Sequence, residues 1–299
     1  MKYQIAGPRS QDLVFTLYGD YLLGREKPVW VGSLITLLGH FGVSSTAARI
    51  VLSRMTQKGW LTADRRGARS YYGLTPRGRR LLEEGRERIY HPSRHQPWSG
   101  TWHLVTYSIP ESNRHLRDEL RVKLQWLGCG LLANGLWITP HDVRAEVREI
   151  AGALKISKRL EVFRAEHVGF SKTSDLVTQC WDLAAINRRY AAFLARWNPA
   201  LDHCATCRLA TARRSGAAAS APCTSPEDCF VRRFQLVHEY RRFPLEDPFL
   251  PPPLLPKAWK GGKAARLFET YHAVLAEPAE RYVRDVCDAD DSVEAQPAA

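Results

Sequence analysis

No stretch of this chain is apolar for long enough to cross a membrane. Its start lacks the basic lead and unbroken apolar core of a signal peptide, because Asp12, Gly19 and Asp20 interrupt the one candidate, Leu13 to Leu23. Cysteine is present without the pattern of a disulfide framework: seven thiols, an odd count, in a 299-residue chain able to build ordinary cores. Those features point to reduced cysteines in the cytoplasm. Nucleophile elbows are absent, and so are paired carboxylates at a catalytic spacing, which leaves an enzyme without visible machinery. Acidic residues are in short supply, 31 Asp+Glu against 43 Lys+Arg, for a net charge of +12.

That basic excess is concentrated at one end. Residues 1–95 hold 16 Lys+Arg against 7 Asp+Glu, so they carry nine of the twelve surplus charges. Such a field attracts polyanions and speeds encounter with DNA, although a basic end by itself would also suit RNA or anionic lipid. The length predicts two or three domains.

The sequence of the basic segment narrows the choice. From Ser33 to Gly85, SLITLLGHFGVSSTAARIVLSRMTQKGWLTADRRGARSYYGLTPRGRRLLEEG spells helix, turn, helix, basic hairpin, helix. Val31 to Gly39 forms the first helix, with Gly42 in the turn. Ser44 caps the second helix, where Ala48, Val51, Leu52 and Met55 recur at i, i+3, i+4 and i+7 as one buried stripe. Ser45, Thr46, Arg49, Ser53 and Arg54 fall on the other faces, an array of hydroxyls and guanidinium groups suited to base edges and phosphates. Gly59 ends that helix. Strands at Trp60–Ala63 and Ser70–Leu74 then flank a tip containing Arg65, Arg66 and Arg69. Thr75 and Pro76 supply the N-cap and first position of a helix running to about Ile89. The competing reading is a core helix pair with a solvated arginine face. The basic hairpin and the capped helix, in that order, favour a winged helix-turn-helix whose second helix enters a major groove.

A different module follows a short linker at residues 96–99. WHLVTYSIP, Trp102 to Pro110, reads as a buried strand. Ser112 then caps a helix through Trp126, CGLL and GLWIT form strands around Asn134-Gly135, a helix spans His141 to Leu154, and a last strand spans Leu160 to Ala165. The order βαββαβ is that of a ferredoxin-like sandwich. A nuclease family of CRISPR adaptation shares this plan and anchors its metal with Asp in a Tyr-Asp-Ile motif. Tyr107-Ser108-Ile109 stands here instead, and a hydroxyl does not replace a hard-metal carboxylate, so metal-dependent nuclease activity is the rival reading rather than the chosen one. Asp118 and Glu119, beside Arg117 and Arg121, read as helix-surface ion pairs.

In the last third, Ser174 caps a long helix through Trp197, and residues 198–225 turn to Ala, Ser, Thr and Pro, a composition that predicts a mobile loop. A helix opens at Ser225-Pro226 and continues to about Arg242. FPLEDPFLPPPLLP is an extended segment pinned by its Phe and Leu side chains. A final helix spans Gly262 to Cys287, with Pro278 as a kink or new start, and the last dozen residues read as a frayed tail. Cys204, Cys207, Cys223 and Cys229 bracket the loop. They are either a structural zinc clip, with His203 in reserve, or scattered thiols.

The three parts together resemble the PaaX family, repressors of bacterial phenylacetate-degradation genes. The resemblance rests on VWVGSLITLLGHFGVSSTAARIVLSRMTQKGWL and GARSYYGLTPRGRR in the first part, WHLVTYSIPESNRHLRDELRVKLQWLGCGLLANGLWITP in the second, and HEYRRFPLEDPFLP with LLPKAW in the third. It implies an α+β protein that is not an enzyme: a winged helix-turn-helix domain at 1–95, a ferredoxin-like domain at 96–168 without a metal site, and a mainly helical domain at 169–299 for effector binding and dimerisation. It implies a homodimer on a palindromic double-stranded DNA operator, touching it through Ser44, Ser45, Thr46, Arg49, Ser53, Arg54, Arg65, Arg66 and Arg69. Release by phenylacetyl-coenzyme A is implied too, with no cofactor required. An acyl-coenzyme A needs cations for its phosphates and an apolar slot, and Arg114, Arg117, His238, Arg241 and Arg242 with Trp137 and Tyr240 are the candidates. The cysteine- and alanine-rich stretch is an insertion relative to the family's usual chain, and it leaves open an unrelated small-molecule effector.

Overall fold

The computed structural model describes residues 10–90, 98–205 and 225–291. The protein is α+β, with helices and two antiparallel sheets arranged in two compact units. One unit draws on residues 1–91, 193–240 and 263–299, the other on 92–192 and 241–262. These units cut across the expected three-part division, because the C-terminal third contributes to both.

In the first unit, α1 (Ser10–Leu17) runs into a π-helical turn, Tyr18–Leu22, and buries Leu13, Val14, Leu17 and Tyr18. Strand β1 (Val29–Trp30) leads into α2 (Val31–Gly39). Helix α3 (Ser45–Gln57) follows a turn in which Gly42 takes φ +79°, a conformation only glycine adopts without strain. The Ser44 hydroxyl accepts the Ala47 N–H at 3.2 Å, as its position implies. Ala48, Val51, Leu52 and Met55 are buried.

Strands β2 (Leu61–Arg66) and β3 (Arg69–Leu74) pair in continuous register from Leu61↔Leu74 to Arg66↔Arg69, and β1 joins on the far side of β3. The hairpin is longer than the sequence suggested. Asp64 and two arginines are poor strand formers, but cross-strand pairing and a stacked Arg66 guanidinium, 4.7 Å from the centre of the Tyr71 ring, carry the ladder to its tip. Gly67, with φ +57°, is the first residue of the two-residue turn, where tight hairpins demand glycine.

Helix α4 (Pro76–Tyr90) is capped by Thr75, whose hydroxyl accepts the Gly78 N–H at 2.9 Å and donates to the Gly59 carbonyl at 2.8 Å. The start of α4 presses so closely on the chain below it that a Cβ on Gly78 would meet the Trp60 carbonyl oxygen at 2.1 Å. Gly78→Ala should therefore destabilise the unit by about 1–3 kcal/mol, read from urea unfolding. An unchanged midpoint would mean that α4 is free to move away.

The rest of this unit is helical. Helix α8 (Leu183–Ala205) enters it from Phe193, α9 (Pro226–Tyr240) lies wholly within it, and α10 (Gly261–Asp291) belongs to it from residue 263. Helices α9 and α10 grip the turn between α2 and α3. Phe41 stacks on Phe234 with centroids 3.8 Å apart, and His40 Nε2 lies 2.8 Å from the Tyr282 hydroxyl. Helix α8 continues past Trp197 through Pro199, and α10 continues through Pro278. Helix α8 therefore runs past its expected end at Trp197, and Pro278 lies inside one helix rather than at a new start.

In the second unit, β4 (Thr101–Tyr107), α5 (Arg114–Trp126), β5 (Gly130–Ala133), β6 (Leu136–Thr139), α6 (Arg144–Ala153) and β7 (Leu160–Glu166) follow in sequence. The strands lie in the order β5-β6-β4-β7, all antiparallel. Val105 and Trp137 pack under α5 and α6 through Leu120, Leu124, Val147 and Ala151. Trp102 and Ile138 face the other way and are covered by Leu176, Val177, Leu183, Leu250 and Leu254. The proline-rich segment is thus pinned by its leucines, although Phe243–Glu246 forms one helical turn.

Helix starts in this unit differ from expectation. Helix α5 begins after a 3₁₀ turn, Glu111–Asn113, and α6 begins at Arg144, where Asp142 Oδ1 accepts the backbone N–H at 3.2 Å. The single helix expected from Ser174 to Trp197 is two: α7 (Thr173–Cys180) and α8. Trp181 takes extended dihedrals and donates its indole N–H to the Gly128 carbonyl at 3.2 Å, while Asp182 restarts the helix by accepting the Ala185 N–H at 2.9 Å. Tertiary docking of Trp181 against Gly130 breaks a periodicity that local sequence would have continued.

Candidate nucleic-acid interface

Helix α3 is two-sided. Its buried stripe packs inward, whereas Ser45, Thr46, Arg49, Ile50, Ser53, Arg54 and Gln57 are exposed, and Ser44 is exposed at the cap. At about 3.6 residues per turn, Thr46, Ile50, Ser53 and Gln57 fall on one ridge opposite the stripe, with Arg49 and Arg54 flanking it on either side. No acidic side chain pairs with either arginine among the described residues. A helix about 10–12 Å across fits a major groove about 12 Å wide. A ridge of uncharged side chains between two cations lets such a helix approach base edges while the guanidinium groups reach phosphates. Sequence reading found the hydroxyls and arginines but passed over Ile50 and Gln57. Counting 100° per residue from the buried stripe would have found both.

The hairpin holds its cations in fixed places. Arg65 Nε donates to the Gly67 carbonyl at 3.2 Å, and Arg66 Nε to Asp64 Oδ2 at 3.0 Å. Arg69 stacks over Trp30 at 4.9 Å, and Arg77 at the start of α4 stacks over Trp60 at 4.4 Å. Aromatic stacking limits the rotamers a guanidinium would otherwise sample, so less order is lost when it meets a phosphate.

The proposed effector residues fall into two groups. In the second unit, Trp137 is 2 % exposed and belongs to the core under α5 and α6. Arg117 donates to Glu111 Oε2 at 2.8 Å, a bond that holds that carboxyl below the usual range, while Arg114 lies 3.7 Å from Asp118. Arg241 is half-buried and Arg242 exposed. In the first unit, His238 is buried with Nδ1 2.8 Å from the Thr16 hydroxyl, and Tyr240 is buried against Phe268 with centroids 3.9 Å apart. Trp137, His238 and Tyr240 are all buried. A cavity of about 140 Å³ is lined by Tyr18, Lys27, Tyr72 and Arg79, and an open depression of about 490 Å³ by Arg25, Glu26, Lys27 and Asp288.

Of the zinc candidates, Cys229 is buried in α9, whereas Cys207, Cys223 and the side chains of Cys204 and His203 lie outside the described residues. The expected loop also lies largely outside them. Among the described residues no cluster of three or more His, Cys, Asp or Glu suits a metal ion. Asp118 and Glu119 are spoken for as helix-surface pairs, with Arg114 at 3.7 Å and Lys123 at 3.7 Å. No helix among the described residues is long and apolar enough to cross a membrane.

Comparison with known proteins bears on the whole chain. Family profiles match residues 9–78 as "PaaX-like protein", 95–177 as "PaaX protein central Cas2-like domain" and 181–285 as "PaaX-like protein C-terminal domain". The chain is 31% identical over 277 residues to the transcriptional repressor PaaX of Escherichia coli (strain K12), covering 91% of this chain and 82% of that one. The chain belongs to the PaaX family. A solved structure, the uncharacterized protein Rv0674 from Mycobacterium tuberculosis, matches 92% of the chain and 99% of its own with a TM-score of 0.56 at 20% identity, a likeness of fold. Membership places α2, α3, the hairpin and the start of α4 inside the segment that the first PaaX-like profile matches.

Proposed function

We propose that the protein is a DNA-binding transcriptional repressor of phenylacetate-type catabolic genes, acting in the cytoplasm. Residues 1–95 work as a winged helix-turn-helix, and the strand order of the central module supports a ferredoxin-like sandwich. The observation that carries the reading is the exposed ridge of α3, flanked by Arg49 and Arg54 next to a hairpin set with Arg65, Arg66 and Arg69. In this reading Ser44, Ser45, Thr46, Arg49, Ser53 and Arg54 face the groove and the hairpin arginines hold the flanking phosphates.

Two heads held together as a homodimer reach half-sites one or more helical turns apart, which makes their spacing the switch. An acyl-coenzyme A such as phenylacetyl-coenzyme A, binding better to a dimer with misplaced heads, draws the population off the operator by its differential affinity alone. Packing of Phe41 and His40 against α9 and α10 supports such coupling, because a shift of those helices moves the turn that sets the angle of α3.

A gel shift on the DNA upstream of the protein's own gene tests this reading. The expected result is a discrete complex at nanomolar protein that dissolves on addition of phenylacetyl-coenzyme A and resists acetyl-coenzyme A. Retention of the complex with every thioester tried would reject the effector and leave the repressor standing.

A further inference from the structure

We infer that Ile50 is a specificity-determining residue, reading the C5-methyl group of thymine in the major groove. The inference deepens the DNA-binding reading and rests on it. Isolated exposed apolar residues are ordinary on protein surfaces and call for no explanation. Ile50 is set apart by its place: it is 48% exposed on the ridge of α3 that points away from the core, one helical turn from Thr46 and one turn from Ser53 and Arg54.

Every other exposed side chain on this helix, from Ser45 to Gln57, is a hydroxyl, an amide or a guanidinium. A β-branched side chain there costs helix propensity and leaves apolar area in water, and nothing among the described residues of the first unit buries it. Groups able to accept an apolar contact are few on the edges of B-DNA. Acceptors and amino groups line the major groove, and the thymine methyl is its one apolar feature. The surrounding charge settles which partner comes near, since Arg49 and Arg54 flank the ridge and favour a polyanion over an apolar protein surface. With those two cations anchored on phosphates to either side, the branched Cβ of Ile50 stands where a methyl group projects from a base pair. Its χ1 is held by the helix, so a fixed shape is presented.

The experiment uses the full-length protein and a duplex selected by it from a random pool, with thymines replaced one at a time by deoxyuridine, a change that removes only the methyl. Wild type should lose affinity about fourfold at one thymine in each half-site, the equivalent of burying one methyl group. Ile50→Ala should bind the thymine and deoxyuridine duplexes alike at that position. Ile50→Val, which keeps the branched Cβ, should retain part of the discrimination. Discrimination by Ile50→Ala equal to that of wild type, or its absence from wild type at every thymine, would overturn the inference. Failure of the pool to yield any preferred duplex would instead defeat the DNA-binding reading beneath it.

Discussion

Removing both guanidinium groups that flank the ridge of α3, as Arg49→Ala with Arg54→Ala, will weaken binding to the selected DNA site by at least about thirtyfold. Each base-reading or phosphate contact is worth about 1–3 kcal/mol, and the two side chains stand far enough apart around the helix for their effects to add. Neither is paired with an acidic group among the described residues, so nothing in the fold should suffer and the unfolding midpoint should stay within about 0.5 kcal/mol of wild type. The hairpin offers the contrast. Arg66→Ala should weaken selected and random duplexes by the same factor and make the salt dependence shallower, since a phosphate contact carries no sequence information. Fluorescence anisotropy over a salt series measures both. Near-wild-type affinity in the double variant would remove α3 from the interface.

The largest effect on stability is expected at a buried charge cluster behind the head. Arg233 on α9 is 4% exposed at its side chain, and Asp20 in the π-helical turn after α1 is 3% exposed. Arg233 Nε lies 3.1 Å from Asp20 Oδ2, and Arg233 Nη1 donates to Glu280 Oε1 at 2.8 Å. Asp20 Oδ1 takes the Tyr90 hydroxyl at 2.6 Å and lies 3.0 Å from His272 Nε2. Burial alone would raise the Asp20 carboxyl, but the His272 hydrogen bond, the charges of Arg233 and His272, and the Tyr90 hydroxyl outweigh it and hold the pKa below the usual carboxylate value.

Arg233→Ala leaves a carboxylate stranded in the core and should cost about 3–5 kcal/mol in urea unfolding. A depressed carboxyl pKa means that the Asp20 contribution is complete above the unfolded value of about 3.9 and disappears as pH falls through the folded one. Wild type should therefore lose stability in acid more steeply than Asp20→Asn, with the two curves converging at the lowest pH. A cost under about 1 kcal/mol for Arg233→Ala would mean that water or His272 already satisfies the Asp20 carboxylate.

Features written in local sequence were legible and those made by distant partners were not. Gly42, Ser44 and the stripe Ala48, Val51, Leu52, Met55 define α2, its turn and α3 without help from the rest of the chain. Thr75 likewise announces α4. Trp181 breaks a helix only because its ring finds Gly130 and its indole finds the Gly128 carbonyl, partners about fifty residues away. Nothing local marks Arg233, since its partner Asp20 lies 213 residues earlier. Trp137 and Tyr240 have the chemistry of an acyl slot in sequence, and their burial is set by partners that sequence does not display. Within the head, Ile50 escaped notice because a search for cations and hydroxyls discards an apolar residue outside the buried stripe.

The central claim is that α3 reads sequence rather than merely sticking to polyanions, and the ratio of affinities for a selected site and a random duplex of equal length, at one fixed salt concentration, tests it most directly. The account predicts a ratio of at least about a thousand. A ratio near one for the wild-type protein would contradict it.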